Sequence, residues 1–327
     1  MSKRIKNLLK KIIRSNPAVF NFYSSIYRKI NPLQVEYGWG ALPKLVMIEP
    51  TNVCNFSCVM CPGKLMKRKR GFMELKLFKL VLDKVQEAGI SHIILHTVGE
   101  PLMHPKFLEM LKLSVLCPTI KKVEFYTNGS LLDETYMKEI LNMKICRVYV
   151  SFSGWDKKSY ETRYCGGVFE DIVKKLTMFN QMIRAYGAPL QTLMISGLVD
   201  EEWEKEKVII FLKNIGLETS QVSLLHPFNW IGFILNSYNC SIDGHDNTKS
   251  KQRACYFIRD NPGILHDGKV TACGCHDING ELLIGDIQKQ SISEIRKGAY
   301  FKEIVCKLKQ GNLGGLVCHK CDAVERW

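Results

Sequence analysis

The sequence predicts an α/β fold: a parallel sheet, either doubly wound or curled into a partial barrel, followed by a smaller region organised by cysteines. Three observations lead there. From about residue 44 to 226, short apolar, β-branched runs alternate with longer stretches of helical periodicity, the pattern of βα units joined by right-handed crossovers. The 327 residues are 46% hydrophobic and 24% charged, enough to bury a core and to exclude wholesale disorder. Beyond about residue 236 the repeat stops, and polar, glycine and cysteine positions take over.

Element by element, strands are expected at 44–49, 92–98, 122–127, 146–152, 191–199 and 221–225. Helices are expected at 75–88, 105–116, 134–143, 169–185 and 202–214. In the first helix Phe78, Val81, Leu82 and Val85 form one stripe, with Lys79, Asp83, Lys84 and Glu87 opposite. Gly89 and Gly216 stand where helix C-caps should fall. The chain divides into a basic extension at 1–40, a βα core at 41–235, and a metal-organised domain at 236–327. In the extension Ile5, Leu8, Leu9, Ile12 and Ile13 form a stripe between basic residues. Such a helix lies on an anionic membrane surface through residues 1–30, or caps the bottom of a barrel.

The formal net charge is +14, concentrated in residues 1–40 (net +7) and in Lys64, Lys67, Arg68, Lys69 and Arg70. Solvated surface is one reading, and an anionic small molecule, lipid surface or acidic electron carrier is the other. No interleaved aromatic–basic platform marks a nucleic-acid site. There is no apolar run of membrane-spanning length and no signal-peptide pattern, which places the protein in the cytoplasm, with peripheral membrane contact as an open alternative.

Thirteen cysteines in a chain without an export signal read as metal ligands where they cluster. The isolated ones (Cys117, Cys146, Cys165, Cys240 and Cys306) read as small buried hydrophobes, Cys306 in particular as core among Ile304, Val305 and Leu308. After the first strand, Cys54, Cys58 and Cys61 stand in a C-x3-C-x2-C loop. Three thiolates so close suit three irons of a [4Fe–4S] cube and leave the fourth iron open. A zinc ion with a remote fourth ligand is the competing reading.

Four further motifs stand at successive strand ends. Val98-Gly99-Glu100-Pro101 comes after the second strand and Thr127-Asn128-Gly129 after the third. Ser151-Phe152-Ser153-Gly154 ends the fourth, and Tyr160 to Arg163, then Gly166-Gly167, lie beyond it. With the cysteine triplet, these motifs resemble the radical S-adenosylmethionine (SAM) superfamily. The first is similar to the family's glycine–glutamate–proline motif; in the third, Ser153 stands where the family usually has an acid; the last resembles the segment that meets the SAM carboxylate. The resemblance implies a partial (β/α)6 TIM-type barrel whose C-terminal strand ends gather the site on one face. It implies a SAM-binding [4Fe–4S] cluster on Cys54, Cys58 and Cys61, with SAM held by Gly99, Glu100, Asn128, Ser151, Ser153 and Arg163. Glu100 would suit the ammonium and Arg163 the carboxylate.

Late in the chain, Asp267-Gly268 marks a hairpin that would bring Cys273 to Cys255, with Cys318 and Cys321 closing a four-thiolate site. Cys275 is the rival of Cys273, and a zinc site drawn from Cys273, Cys275, Cys318 and Cys321, with His276 or His319 as substitutes, is the alternative. This layout resembles the SPASM and shorter "twitch" auxiliary-cluster regions of radical SAM enzymes and implies a second [4Fe–4S] cluster.

The expected activity is hydrogen abstraction by a 5′-deoxyadenosyl radical from a hydroxylated small molecule, phosphorylated or nucleotide-linked if the basic loop Lys64–Arg70 serves as a handle. The auxiliary cluster would take the second electron, and a flavodoxin- or ferredoxin-type protein would supply the first. A base must take the proton, and His226, Asp277 and His276 are the candidates. A peptide maturase or epimerase is the alternative, in which Cys165 would return hydrogen; a non-catalytic iron–sulfur or zinc protein is the third reading.

Overall fold

The computed structural model describes residues 42–225 and 255–321, all within one compact unit, Leu42–Trp327. The basic extension, His226 and Cys240 lie outside the described residues. Among the described residues no helix is long and apolar enough to cross a membrane.

Six parallel strands run in sequence order: β1 (Leu45–Ile48), β2 (His92–Leu95), β3 (Lys122–Thr127), β4 (Cys146–Ser151), β5 (Leu193–Leu198) and β6 (Val222–Leu225). The order decides between the two sheet architectures. A doubly wound sheet reverses its strand order at a switch point; here each crossover steps the same way, so the helices fall on one face and the sheet curls. The result is a partial, unclosed barrel.

The helices are α1 (Leu75–Glu87), α2 (Phe107–Leu116), α3 (Glu134–Leu141), α4 (Lys157–Arg163), α5 (Phe169–Ala185) and α6 (Glu202–Asn214). The α1 stripe is buried as its periodicity requires, each large side chain contributing roughly 1.5–3 kcal/mol. Ala88 and Ile215 cap α1 and α6, and Gly89 and Gly216 come next with φ of 65° and 90°. Ile93, Val123, Phe125, Val148, Val150 and Ile195 point to the helix side and are fully buried; Phe125 meets Phe107 of α2 edge-on at 5.1 Å. By the period of two, the intervening side chains face the concave side.

After residue 255 come α7 (Tyr256–Asp260), β7 (Gly263–Ile264), β8 (Lys269–Thr271), β9 (Leu283–Asp286), α8 (Ile292–Lys297) and α9 (Ala299–Gln310). β7 pairs parallel with β1, and β8 and β9 extend the sheet antiparallel, making nine strands. Helix α4 stands where the sequence suggests only a ligand segment; Asp156 and Ser159 form its capping box. Cys306 is exposed on α9 rather than in the core, while Ile304, Val305 and Leu308 are buried. The apolar stripe of α9 packs inward, and Cys306 sits off it. Of the isolated cysteines described, Cys146 alone is buried.

Candidate active site and cluster-binding loops

The loop carrying Cys54, Cys58 and Cys61 leaves the C-terminal end of β1 and is held from three sides. Glu100 N donates to Val53 O at 2.8 Å; Ser57 N and Val59 N donate to Cys165 O (2.8 Å) and Arg163 O (2.9 Å). Gly99 permits the first contact: its φ is 100°, and a Cβ there would lie 2.6 Å from Thr51 O. Phe56 N and Gly63 N each donate to a cysteine sulfur, Cys54 and Cys61, at 3.4 Å. Desolvation, aided by mutual repulsion, raises Cys54 to about 11 and Cys58 to about 12, so binding a cationic centre there must release protons.

The strand-end motifs gather round this loop, but several are engaged within the protein. Glu100 Oε1 accepts from Leu102 N and Thr127 Oγ1 (3.1 and 2.7 Å), and Oε2 accepts from Asn128 N (2.6 Å). Burial raises its pKa to about 7. Asn128 Nδ2 donates to Asn55 Oδ1 at 2.9 Å and lies 4.0 Å from Cys54 Sγ. Ser151 ends β4 half-buried, whereas Ser153 is fully buried, its hydroxyl 3.1 Å from Tyr164 OH. Arg163 donates to Ser153 O (3.0 Å) and Glu204 Oε1 (2.5 Å). Glu100 and Arg163 therefore tie the loops together through these bonds. Cys165 is half-buried, its Sγ 3.7 Å from Thr162 O, and close enough to Cys58 to raise its pKa.

At the other end of the chain Cys255, Cys273, Cys318 and Cys321 are all buried. Burial raises Cys273 and Cys318; Cys255 and Cys321 add to both shifts, and Cys275 adds to that of Cys273. Arg296 fixes the helix that starts at Cys255 by donating to Ile258 O and Arg259 O (3.0 and 2.8 Å). Cys275 packs instead beside Tyr126 against Leu45, Met47 and Ile94, although Cys255 also raises its pKa. Asp277 accepts from Thr271 Oγ1 (2.5 Å), Leu282 N (2.9 Å) and Glu281 N (2.8 Å), which makes it the staple of the 271–282 loop. His276 is buried edge-on against Phe257 at 4.8 Å.

In the basic loop, expected to hold an anionic handle of the substrate, two of the five cations make bonds within the protein. Arg68 makes a two-pronged pair with buried Glu49 (2.8 and 2.7 Å) and donates through Nε to Ile278 O at 2.7 Å. Arg70 donates to Asn52 O and Gly63 O. Lys64, Lys67, Lys69 and Arg70 are exposed.

Comparison with known proteins meets this geometry at both ends. Residues 48–207 match the radical SAM superfamily, and 255–322 match the SPASM iron–sulfur cluster-binding domain. The chain is a radical SAM enzyme with a SPASM region. It is 26% identical over 260 residues to the tungsten-containing aldehyde ferredoxin oxidoreductase cofactor-modifying protein of Pyrococcus furiosus, covering 70% of each chain. It is 21% identical over 284 residues to the S-adenosyl-L-methionine-dependent 2-deoxy-scyllo-inosamine dehydrogenase of Niallia circulans, covering 86% of this chain and 93% of that one. Among solved structures, BtrN in complex with AdoMet and 2-DOIA superposes with a TM-score of 0.57 at 20% identity, over 86% and 93% of the chains. Streptococcus suis SuiB bound to precursor peptide SuiA gives 0.64 at 12% identity, over 94% and 75%.

Membership brings SAM, its [4Fe–4S] cluster and an auxiliary iron–sulfur cluster. The donor sets fit: two groups of sulfurs, none in a disulfide, the first with backbone N–H groups directed at two of its sulfurs. Among the described residues no three His, Cys, Asp or Glu side chains are gathered at a single-ion position.

The radical SAM barrel also presents residues outside every motif. On the concave face Glu124 accepts from Lys122 and Tyr149 and pairs with His92 at 2.6 Å. Nearer the C-terminal strand ends, Tyr126 stacks on Tyr149 (4.6 Å) and His96 lies 5.5 Å from Tyr126. His92, Ile94 and His96 share a parity in the sequence, and that was the available signal.

Proposed function

We propose that this radical SAM enzyme oxidises a hydroxylated small molecule held on the concave face of its barrel. Cys54, Cys58 and Cys61 would hold the SAM-binding cluster, and Cys255, Cys273, Cys318 and Cys321 the auxiliary one. When bound, these groups would supply a 5′-deoxyadenosyl radical and a one-electron acceptor. One observation carries the reading: Cys275, two residues beyond Cys273, packs, as Tyr126 does, against Leu45, Met47 and Ile94 on the concave face. The auxiliary loop therefore opens on the same space as the strand-end motifs, where a substrate radical could pass on its electron. The barrel wall contributes the hydroxyl of Tyr126 and the imidazole of His96, while Tyr149 donates to Glu124 and Glu49 and Glu100 are engaged internally. Such a wall suits a polyol or amino polyol, the class to which the substrate named for the Niallia circulans relative belongs. The likeness to SuiB concerns the fold alone. A flavodoxin- or ferredoxin-type protein would deliver the reducing electron.

The test is anaerobic reconstitution with iron and sulfide, reduction, and incubation with SAM and 2-deoxy-scyllo-inosamine deuterated at its carbinol carbons. The expected outcome is deuterium in 5′-deoxyadenosine with one ketone formed per SAM cleaved. Unlabelled 5′-deoxyadenosine with no ketone would refute the oxidation.

A further inference from the structure

We infer that His96 binds the hydroxyl group of the substrate and accepts its proton as the carbinol becomes a carbonyl. This rests on the oxidation proposed above and assigns the base that the reaction requires. His96 comes directly after β2 and faces the concave side by the parity it shares with His92 and Ile94. It stands three residues before Gly99, beside the loop that holds the cysteine triplet. Among the described residues its Nδ1 is closed off from solvent and has no hydrogen-bond partner, and a buried polar atom left so costs free energy that a ligand can recover.

The groups around it leave it the role. From β1, Glu49 is bound by Arg68, Thr97 and His266. From β3 comes Tyr126, whose hydroxyl burial keeps protonated, pushing its pKa up, and beyond it Tyr149 donates to Glu124. Asp277 is closed by its three loop bonds. Burial lowers the His96 imidazole to about 4, so it is neutral and able to accept.

The step balances. Bound SAM and its cluster would supply the radical that takes the hydrogen atom from the carbinol carbon. The O–H bond then breaks toward His96, which gains the proton, while the carbon–oxygen double bond forms and one electron leaves to an iron–sulfur acceptor.

The test uses the 15N-histidine-labelled holoenzyme with SAM, the ring signal of His96 being the one missing from both His96→Gln and His96→Asn. Adding 2-deoxy-scyllo-inosamine is expected to shift that signal. His96→Gln is expected to keep its iron content and its 5′-deoxyadenosine formation in the absence of substrate while losing roughly 10²- to 10⁴-fold in ketone formation. An unmoved ring signal with deuterium transfer intact would overturn the assignment of His96 alone. So would parallel loss of iron, SAM cleavage and ketone in both variants, since that marks a structural role. A ring shift without deuterium transfer in the wild-type enzyme would overturn the oxidation, and the proton step with it.

Discussion

Glu49 has no solvent exposure, yet it stays ionised, because Arg68 meets both its oxygens and Thr97 and His266 add further hydrogen bonds. Burial alone would raise its pKa; these partners outweigh burial and bring it from 4.5 down to about 2. The folded value lies below the unfolded one, so the stability Glu49 contributes is complete above about pH 4.5 and is lost as pH falls toward 2. Arg68→Met leaves this carboxylate buried without its ion-pair partner, and is expected to cost roughly 3–5 kcal/mol in urea unfolding at pH 7. Glu49→Gln should flatten the fall in stability between pH 4.5 and 2, and an unchanged acid limb would show that Glu49 does not set it. Gly99→Ala tests the neighbouring contact: its Cβ would collide with the Thr51 carbonyl, so iron per chain after reconstitution should fall from about eight toward four. The sequence marks Glu49 only as the last residue of the first expected strand. Its partner Arg68 is legible as a charge but not as a buried one, and His266 lies over two hundred residues away, where no local pattern reaches.

At the level of elements, α4 clamps the cysteine loop. The carbonyls of Arg163 and Cys165 accept from Val59 and Ser57, and Arg163 is itself fixed to Ser153 and Glu204. Lysine keeps the charge but lacks the planar fork that reaches two acceptors at once. Arg163→Lys is therefore expected to loosen the SAM-side cluster while sparing the auxiliary one. Iron retained after anaerobic gel filtration should drop by up to half, and equal loss from both clusters would refute the clamp. The larger elements are legible because hydrophobic period sets them: β3, α5 and α6 lie at their expected bounds, and the other expected elements differ by a few residues at their ends. Short α4 is not, because its helicity comes from the capping box at Asp156 and Ser159 rather than from an apolar stripe. The roles of Glu100 and Arg163 are only half legible: their motifs place them at the strand ends, but the internal bonds that engage them come from tertiary packing.

Across the whole molecule, the SPASM region and the barrel share one sheet through the parallel pairing of β7 with β1. A pairing between segments so far apart in the chain leaves no local signal, so the sequence shows the late cysteines but not the strand that joins them to the barrel. The basic loop adds a second seam: Lys67 N donates to Asn279 Oδ1 at 2.8 Å, Arg68 reaches Ile278 O, and Met66, Val98 and Ile278 pack together. With β7 hydrogen-bonded to β1 and Met66 packed on Ile278, loss of the auxiliary cluster should be felt in the barrel. Cluster binding stabilises only the folded state, and its loss lowers the stability of every element that unfolds with it. Cys318→Ser with Cys321→Ser is therefore expected to shift a single cooperative urea transition to lower denaturant, with far-UV circular dichroism and intrinsic fluorescence moving together. Two separated transitions, the barrel's unchanged in midpoint, would mean that the seam carries no free energy and that the two regions fold independently.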